Sequence, residues 1–374
     1  MNNLEQMTTL ESLLKSMRRI YTSSGWKYTT QRYRINELPE LLKIQKELRE
    51  GTYTPEKGKT FITYEQGKKR LIHALDVRDV IVQHALVDEI LTPAIEKKII
   101  YDNAASRKGK GLSFSRRRIE THIHKFYRQH GRDGYILKID CAKFFDNLDH
   151  ACIIKMMDDL IGDPAITDLI RKILHSNEAD ISYTDGPILI FNSLEHEEIP
   201  EELKTGKRFL KRGIGIGCAL AQAVGIYYLN EIDTYCKYVK GIKYYDVYMD
   251  DRIIIHQDKE FLKQLLKEIE SKMMKLGLHI NMNKTQIIRL NRPFTFLKTR
   301  YILTDTGHLV RKIPRDVLSR ERRKLKKLSE LVKNKEITQK DMDQQYISWR
   351  GDKKHYHAGR TLHNMDLLYR RLKK

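Results

Sequence analysis

Two adjacent carboxylates, Asp250 and Asp251, sit between the runs Ile242-Lys243-Tyr244-Tyr245-Asp246-Val247 and Ile253-Ile254-Ile255. Alternating and β-branched residues on both flanks predict two strands, with the acidic pair at the tip of the hairpin joining them. Neighbouring anions destabilise one another unless a cation neutralises them. A hard divalent ion such as Mg²⁺, which takes oxygen ligands, suits that position. Alone, an Asp-Asp pair reads as a solvated turn. A third carboxylate changes the reading: Asp140 ends the short apolar run Gly134-Tyr135-Ile136-Leu137-Lys138-Ile139, and Cys141-Ala142-Lys143-Phe144-Phe145-Asp146 follows it. Three carboxylates from two neighbouring strands of one sheet can hold two Mg²⁺ ions about 3.5–4 Å apart. One ion would activate an attacking 3′-hydroxyl and the other would stabilise leaving pyrophosphate, which is phosphoryl-transfer chemistry.

These side chains need a scaffold, and the composition is that of a folded one. Hydrophobic residues make up 40% of the chain and aromatics 9%, which excludes a disordered basic tail. The 374 residues permit two or three subdomains. A formal net charge of +21 predicts a polyanionic partner. Nucleic acid is favoured over a membrane surface, because no long apolar run or amphipathic anchor stands out. Cys141, Cys152, Cys218 and Cys236 show no paired metal-ligand spacing and read as free thiols. The N-terminal residues lack an apolar signal core, so a cytoplasmic location is expected.

Periodicity places the elements. Helices are predicted over 4–22 and 36–50, separated by a polar stretch with Gly25 and Trp26. A hairpin runs from Thr52 to Ile72 with Gly67-Lys68-Lys69 at its turn. A helix spans 76–98, a small-residue and basic loop spans 102–111, and another helix runs to about Gln129. Helices follow at 149–161 and 166–176, then an irregular, strand-like segment at 180–212. Helices at 217–238 and 259–276 bracket the acidic hairpin. Beyond about residue 312 the pattern is helical and laden with Lys and Arg, so the soft boundary lies near 305–312.

In this order the segments resemble a bacterial reverse transcriptase, related to those of group II introns and diversity-generating retroelements. The likeness covers roughly residues 60–305, with a weaker thumb-like match beyond. Asp140 with Phe145 resembles the first catalytic motif, an Asp followed five residues later by an aromatic. Gly213-Ile214-Gly215-Ile216-Gly217-Cys218-Ala219-Leu220-Ala221-Gln222 resembles the glycine-rich motif that cradles template and nucleotide. Tyr248-Met249-Asp250-Asp251 is similar to the family's best-known signature. Gly277-Leu278-His279-Ile280-Asn281-Met282-Asn283-Lys284-Thr285 and Phe294-Thr295-Phe296-Leu297 resemble the following lysine motif and the primer grip.

The resemblance implies an α+β right-hand polymerase: an N-terminal helical extension (1–59), fingers with part of the palm (60–134), a palm with an antiparallel sheet and finger insertions (135–305) and a helical thumb (306–374). Asp140, Asp250 and Asp251 are then the catalytic and metal-binding residues, with two Mg²⁺ ions and Mn²⁺ as a substitute. Phe145 would lie against the sugar of the incoming nucleotide and exclude a 2′-hydroxyl, although a Phe after a strand is as often a core aromatic. Arg70 and Lys68 on the fingers hairpin, Gln222 and Lys284 complete the nucleotide contacts; for the lysines, a solvated surface position is the bland alternative. Arg107, Gly215, Ile216, Gly217, Tyr248, Met249, Leu297 and Trp349 are expected at template and primer. Arg is suited to bidentate phosphate contact, and glycines let the backbone approach nucleic acid closely.

Departures are visible. Gly215-Ile216-Gly217 stands where intron enzymes carry Pro-Gln-Gly, which resembles the retroelement enzymes and some phage-defence relatives; Ile216 cannot donate a hydrogen bond there, and looser fidelity is expected. Ala221 replaces the Ser that usually precedes Gln222 in the retroelement group. Leu71 and Leu75 replace fingers prolines, and Lys298 replaces a Gly after the primer-grip Phe-Leu. Near the end, Ser348-Trp349-Arg350-Gly351-Asp352-Lys353-Lys354-His355 resembles a closing thumb signature. No zinc-binding maturase, endonuclease or RNase H segment is recognised, which disfavours autonomous mobility. The leading expectation is RNA-directed DNA synthesis on a dedicated structured RNA with DNA primer or product and deoxynucleotides, in a retroelement or anti-phage setting. An accessory protein or homo-oligomer is a further expectation. Competing readings are a template-independent or protein-primed DNA polymerase, and a non-catalytic, maturase-like RNA scaffold.

Overall fold

The computed structural model describes residues 2–65 and 67–373. Four helices begin the chain: α1 (Asn3–Met7), α2 (Leu10–Ser24), α3 (Tyr28–Ile35) and α4 (Glu37–Arg49). Thr9 caps α2 by accepting from the Ser12 amide, and Leu13, Met17 and Ile20 of α2 share one core with Leu41, Ile44 and Leu48 of α4. The expected polar separator is shorter than its composition implies. Helix resumes at Tyr28 because Thr30 and Tyr33 reach buried surface, and packing overrides weak propensity.

The fingers hairpin consists of β1 (Lys59–Glu65) and β2 (Lys68–Ala74), paired antiparallel from Lys59↔Ala74 to Glu65↔Lys68. Lys68 and Lys69, expected in the turn, therefore belong to β2; Gln66 lies outside the described residues. The predicted 76–98 helix is continuous but changes pitch, with α5 (Val77–Leu86) passing through a π-helical stretch (Val87–Leu91) into α6 (Thr92–Glu96). Then come α7 (Leu112–His130), β3 (Tyr135–Ile139), α8 (His150–Ile161), α9 (Pro164–His175), β4 (Ala179–Asp180), α10 (Ser193–His196) and β5 (Phe209–Leu210). The predicted 217–238 helix is interrupted into α11 (Ala219–Tyr227) and α12 (Asn230–Thr234). At the break, Tyr228 turns its hydroxyl to the Leu276 carbonyl at 2.6 Å.

β6 (Tyr244–Tyr248) and β7 (Asp251–His256) form the predicted hairpin, and α13 (Lys259–Lys275) follows. With β8 (Gln286–Arg289) they make an antiparallel sheet in the order β6-β7-β3-β8. Alternation sends Leu137, Ile139, Tyr245, Val247 and Ile254 into the large helical core. Ile136, Ile253 and Ile255 face the other way, against Ile119, Ile123 and Phe126 of α7. That second core also takes Phe294 and Phe296 of β9 (Phe294–Phe296), Tyr301 and Leu303 of β10 (Thr299–Leu303) and Leu309 of β11 (Leu309–Lys312). Residue 305 lies in the β10–β11 turn, which the Thr304 amide closes onto the His308 carbonyl. Three helices end the chain: α14 (Arg315–Lys333), α15 (Gln339–Asp352) and α16 (Gly359–Lys373), packed around Leu325, Leu328, Met342, Tyr346 and Met365. Mixed helix and antiparallel sheet in this order is the right-hand polymerase architecture expected from the sequence. No described helix is long and apolar enough to cross a membrane.

Candidate active site

Tyr248 pairs with Asp251, so Met249 and Asp250 are the two central residues of the β6–β7 turn. Met249 has φ +57, the sense that tight hairpin turns require and side chains with a Cβ avoid. On the other side of β7, Ile139 of β3 lies opposite Arg252. Continuing that register by one residue brings Asp140 opposite Asp251, and alternation puts both on the same face as Lys138. The predicted acidic residues thus converge at one end of the sheet.

A second segment braces Asp140. Its amide donates to Thr285 Oγ1 at 3.2 Å and its carbonyl accepts from the Asn281 amide at 2.8 Å. This docks the segment that carries Lys284, whose Nζ lies 2.9 Å from Asp140 Oδ2 and 3.3 Å from Oδ1. Burial raises the Asp251 pKa to about 7, with help from the charges of Asp250 and Asp140. Asp250 is pushed up too, by burial and then by Asp140. Burial lowers the pKa of Lys138, against the pull of Asp251 and Asp140. The site is therefore short of positive charge.

An all-carboxylate donor set with that deficit fits a hard divalent cation in its chemistry. Among the described residues, however, no three His, Cys, Asp or Glu side chains are already gathered to hold a metal ion. The Asp140 carboxylate instead engages Lys284.

Phe145 is half-buried and stands beside Met249: a Cβ added to Gly225 of α11 would lie 3.2 Å from Phe145 Cε1 and 3.3 Å from Met249 Sδ. Its ring also meets Phe144 edge-on at 5.2 Å. The glycine-rich loop docks on the fingers strand. The His73 amide donates to the Ile216 carbonyl at 3.3 Å, and a Cβ on Gly215 would come within 2.6 Å of His73 Cβ. Glycine is thus a steric requirement at 215, while Gly213 (φ +91) and Gly217 (φ +116) are conformational ones. Gln222 is exposed on the first turn of α11. Three residues before His73, Arg70 places Nε 2.7 Å from Glu65 Oε2 on the neighbouring strand; Lys68 is exposed.

Leu297 and Lys298 form the β9–β10 turn, with φ of +45 and +58. Leu297 leans on the second core. Trp349 is half-buried in the thumb, stacked on Tyr346 with centroids 6.0 Å apart. It edges a 1320 Å³ groove whose lining includes Arg116, Arg323, Lys324, Lys327 and Lys353, together with Tyr64 and Gly67 of the fingers tip.

Arg107, expected at template or primer, points inward: its side chain is only 8% exposed and its donors bond internally. Nε lies 2.8 and 3.0 Å from the Glu96 carboxylate, and Nη1 donates to the carbonyls of Ile100 and Asn103 at 3.0 and 2.8 Å. That loop is itself stitched to the palm, since Asn103 bridges Val247 of β6. Sequence reasoning also passed over Arg252, a charged residue at an inward-facing position of an aliphatic strand.

No curated protein matches the sequence. Solved structures do resemble it, at low identity. Telomerase from Candida albicans in complex with a TWJ fragment of telomeric RNA is 13% identical with a TM-score of 0.47, over 75% of this chain and 50% of that one. Apo telomerase from Candida tropicalis gives 12% and 0.47, over 69% and 49%; its form truncated from the C-terminal domain gives 14% and 0.46, over 68% and 55%. The chain thus spans about half the length of these structures. Residues 55–300, well over half of the chain, match the family described as "Reverse transcriptase (RNA-dependent DNA polymerase)". The chain belongs to the reverse transcriptase family.

Proposed function

We propose that this chain copies an RNA template into DNA, with Asp140, Asp250 and Asp251 holding divalent metal ions of the kind the family uses. The observation that carries the reading is the β3–β7–β6 register, which sets Asp140 across from Asp251 and Asp250 at the adjoining turn. Bound Mg²⁺ supplies the charge that activates the primer hydroxyl and neutralises leaving pyrophosphate. The protein's own groups supply the positioning. Phe145, beside Gly225 and Met249, walls the sugar position and disfavours a 2′-hydroxyl. Lys284 releases Asp140 to the metal and turns to the triphosphate. Arg70, three residues from the glycine-rich loop along β2, exchanges Glu65 for a phosphate, where its planar fork binds two oxygens. The basic groove beside Trp349 holds the template–primer duplex through its phosphates.

The enzyme is of the bacterial type and acts in the cytoplasm on a dedicated structured RNA. Ile216, in place of the Gln of intron enzymes, favours a retroelement or phage-defence lineage. Primer extension on poly(rA)/oligo(dT) tests the reading: the wild type incorporates dTTP and Asp250→Ala does not. Equal incorporation by both removes the proposed chemistry, and incorporation by neither leaves the RNA-scaffold reading. Product DNA unrelated in sequence to the RNA supplied would instead favour untemplated or protein-primed synthesis.

A further inference from the structure

Beneath the Met249–Asp250 turn lies an ion pair that phosphoryl transfer does not itself call for. Arg252 is 2% exposed and heads the largest fully enclosed side chains of the protein. It sits on the face of β7 opposite that of Asp251, inside the helical core. Its Nε donates to Asp233 Oδ1 of α12 at 2.9 Å, and the Tyr245 hydroxyl donates to the same oxygen at 2.7 Å. Asp233 is 1% exposed and Tyr245 fully enclosed. Arg252 Nη1 reaches the Asp250 carbonyl at 3.2 Å and, more loosely, the Met249 carbonyl at 3.4 Å.

A buried guanidinium–carboxylate pair is a poor way to fill a core, because desolvating two charges can cancel their attraction and an aliphatic residue packs as well. Ile254, the next residue on the same face of the strand, shows what this environment accepts. An aliphatic side chain cannot hold turn carbonyls. Those carbonyls belong to a turn whose first central residue, Met249, is in the left-handed region, so an unsupported turn would relax toward other conformations.

We propose that Arg252, oriented by Asp233 and Tyr245, is a positioning residue that locks the Met249–Asp250 turn and so fixes the directions of the Asp250 and Asp251 carboxylates. The inference rests on the proposed role of those two residues as metal ligands. Partners that orient metal ligands typically change metal affinity or activity 10- to 100-fold when removed.

The test pairs direct Mn²⁺ binding to the nucleic-acid-free protein, by titration calorimetry, with thermal melting and steady-state kinetics on poly(rA)/oligo(dT). Arg252→Met combined with Asp233→Asn removes the pair without stranding a buried charge. The expected result is a cooperative melt, Mn²⁺ affinity and kcat each lowered about 10-fold or more, and KM for dTTP within about 2-fold of wild type. Wild-type Mn²⁺ affinity and kcat in the folded double variant would overturn the inference. If that variant does not fold, Arg252→Lys decides, since Lys keeps the charge but lacks the planar fork that reaches Asp233 and the turn carbonyls at once. A folded Arg252→Lys protein with weakened Mn²⁺ binding supports the lock, and one with unchanged binding refutes it. Asp250→Ala is the separate control: Mn²⁺ binding equal to wild type there removes the ligand assignment itself, and the positioning role with it.

Discussion

Replacing Arg107 by Ala separates two jobs a basic residue in this loop could have. The side chain makes a forked contact with Glu96 and two bonds to the carbonyls of Ile100 and Asn103, at 8% exposure against 36% for Glu96. Breaking a fully buried pair costs roughly 3–5 kcal/mol, but the exposure of Glu96 discounts that sum. Each hydrogen bond to a charged group adds about 1.5–3 kcal/mol before water replaces part of it. A net destabilisation of about 2–3 kcal/mol follows, equivalent to a melting-temperature drop of roughly 3–4 °C in a chain of 374 residues. Glu96→Gln should lose a smaller share, and the double variant should lose less than the sum of the two single effects. Nucleic-acid binding provides the contrast. A phosphate contact removed at this position would flatten the salt dependence of template affinity by about one unit of slope. The structure predicts an unchanged slope in Arg107→Ala, measured well below its melting temperature. An unchanged melting temperature together with a slope reduced by one would refute the internal brace and return Arg107 to the template.

Three further outcomes are expected. Phe145→Ala opens the space beside Gly225 and Met249, so ribonucleotide incorporation relative to deoxynucleotide should rise at least about 10-fold, one kT-scale contact being worth far less than a steric wall; an unchanged ratio in primer extension would leave Phe145 a core aromatic. Lys298→Gly relieves a φ of +58 while losing only a loose, exposed 3.9 Å pair with Glu65, so stability should rise by up to about 1 kcal/mol in thermal melts, and a clear loss would contradict the strain. In the thumb, hydrogen bonds from Tyr369, Lys373 and Gln339 hold the Asp343 pKa down at about 2. A carboxylate depressed in the folded state contributes stability above its unfolded pKa and loses it as pH falls toward the folded one. The melting-temperature gap between wild type and Asp343→Asn should therefore be constant from pH 7 to about 5 and narrow on further acidification; a gap that widened would be inconsistent with this sign.

What could be read in the sequence was what depends on local pattern. The alternating flanks of Asp250-Asp251 predicted β6 and β7 within two residues, and the apolar run ending at Asp140 predicted β3. Five spaced motifs identified the family that residues 55–300 match. Long periodic helices such as α7, α8 and α13 were equally legible. Long-range partners were not. That Arg107 bonds Glu96 and two carbonyls is invisible to composition, which shows only a basic residue in a loop. The interruption at Tyr228 was hidden, since the residue's partner there, the Leu276 carbonyl, is 48 residues away. Arg252 did leave a signal, a charge at an inward position between Asp251 and three isoleucines, but its partner Asp233 lies on a helix no short pattern links to it.

The fingers hairpin has a consequence of its own. β1 and β2 form a two-stranded ribbon, and Phe61, Ile62 and Tyr64 of β1 are about half exposed or more. Such ribbons are marginal without a third strand or an apolar face to rest on. Its amides should consequently exchange with solvent deuterium ahead of those in β3 or β7, and order along the ribbon should spread from the His73 end toward Glu65. If the proposed function holds, a nucleotide gripped by Arg70 would do more than occupy a pocket: it would complete the folding of the arm that holds it, and part of its binding energy would be consumed in doing so.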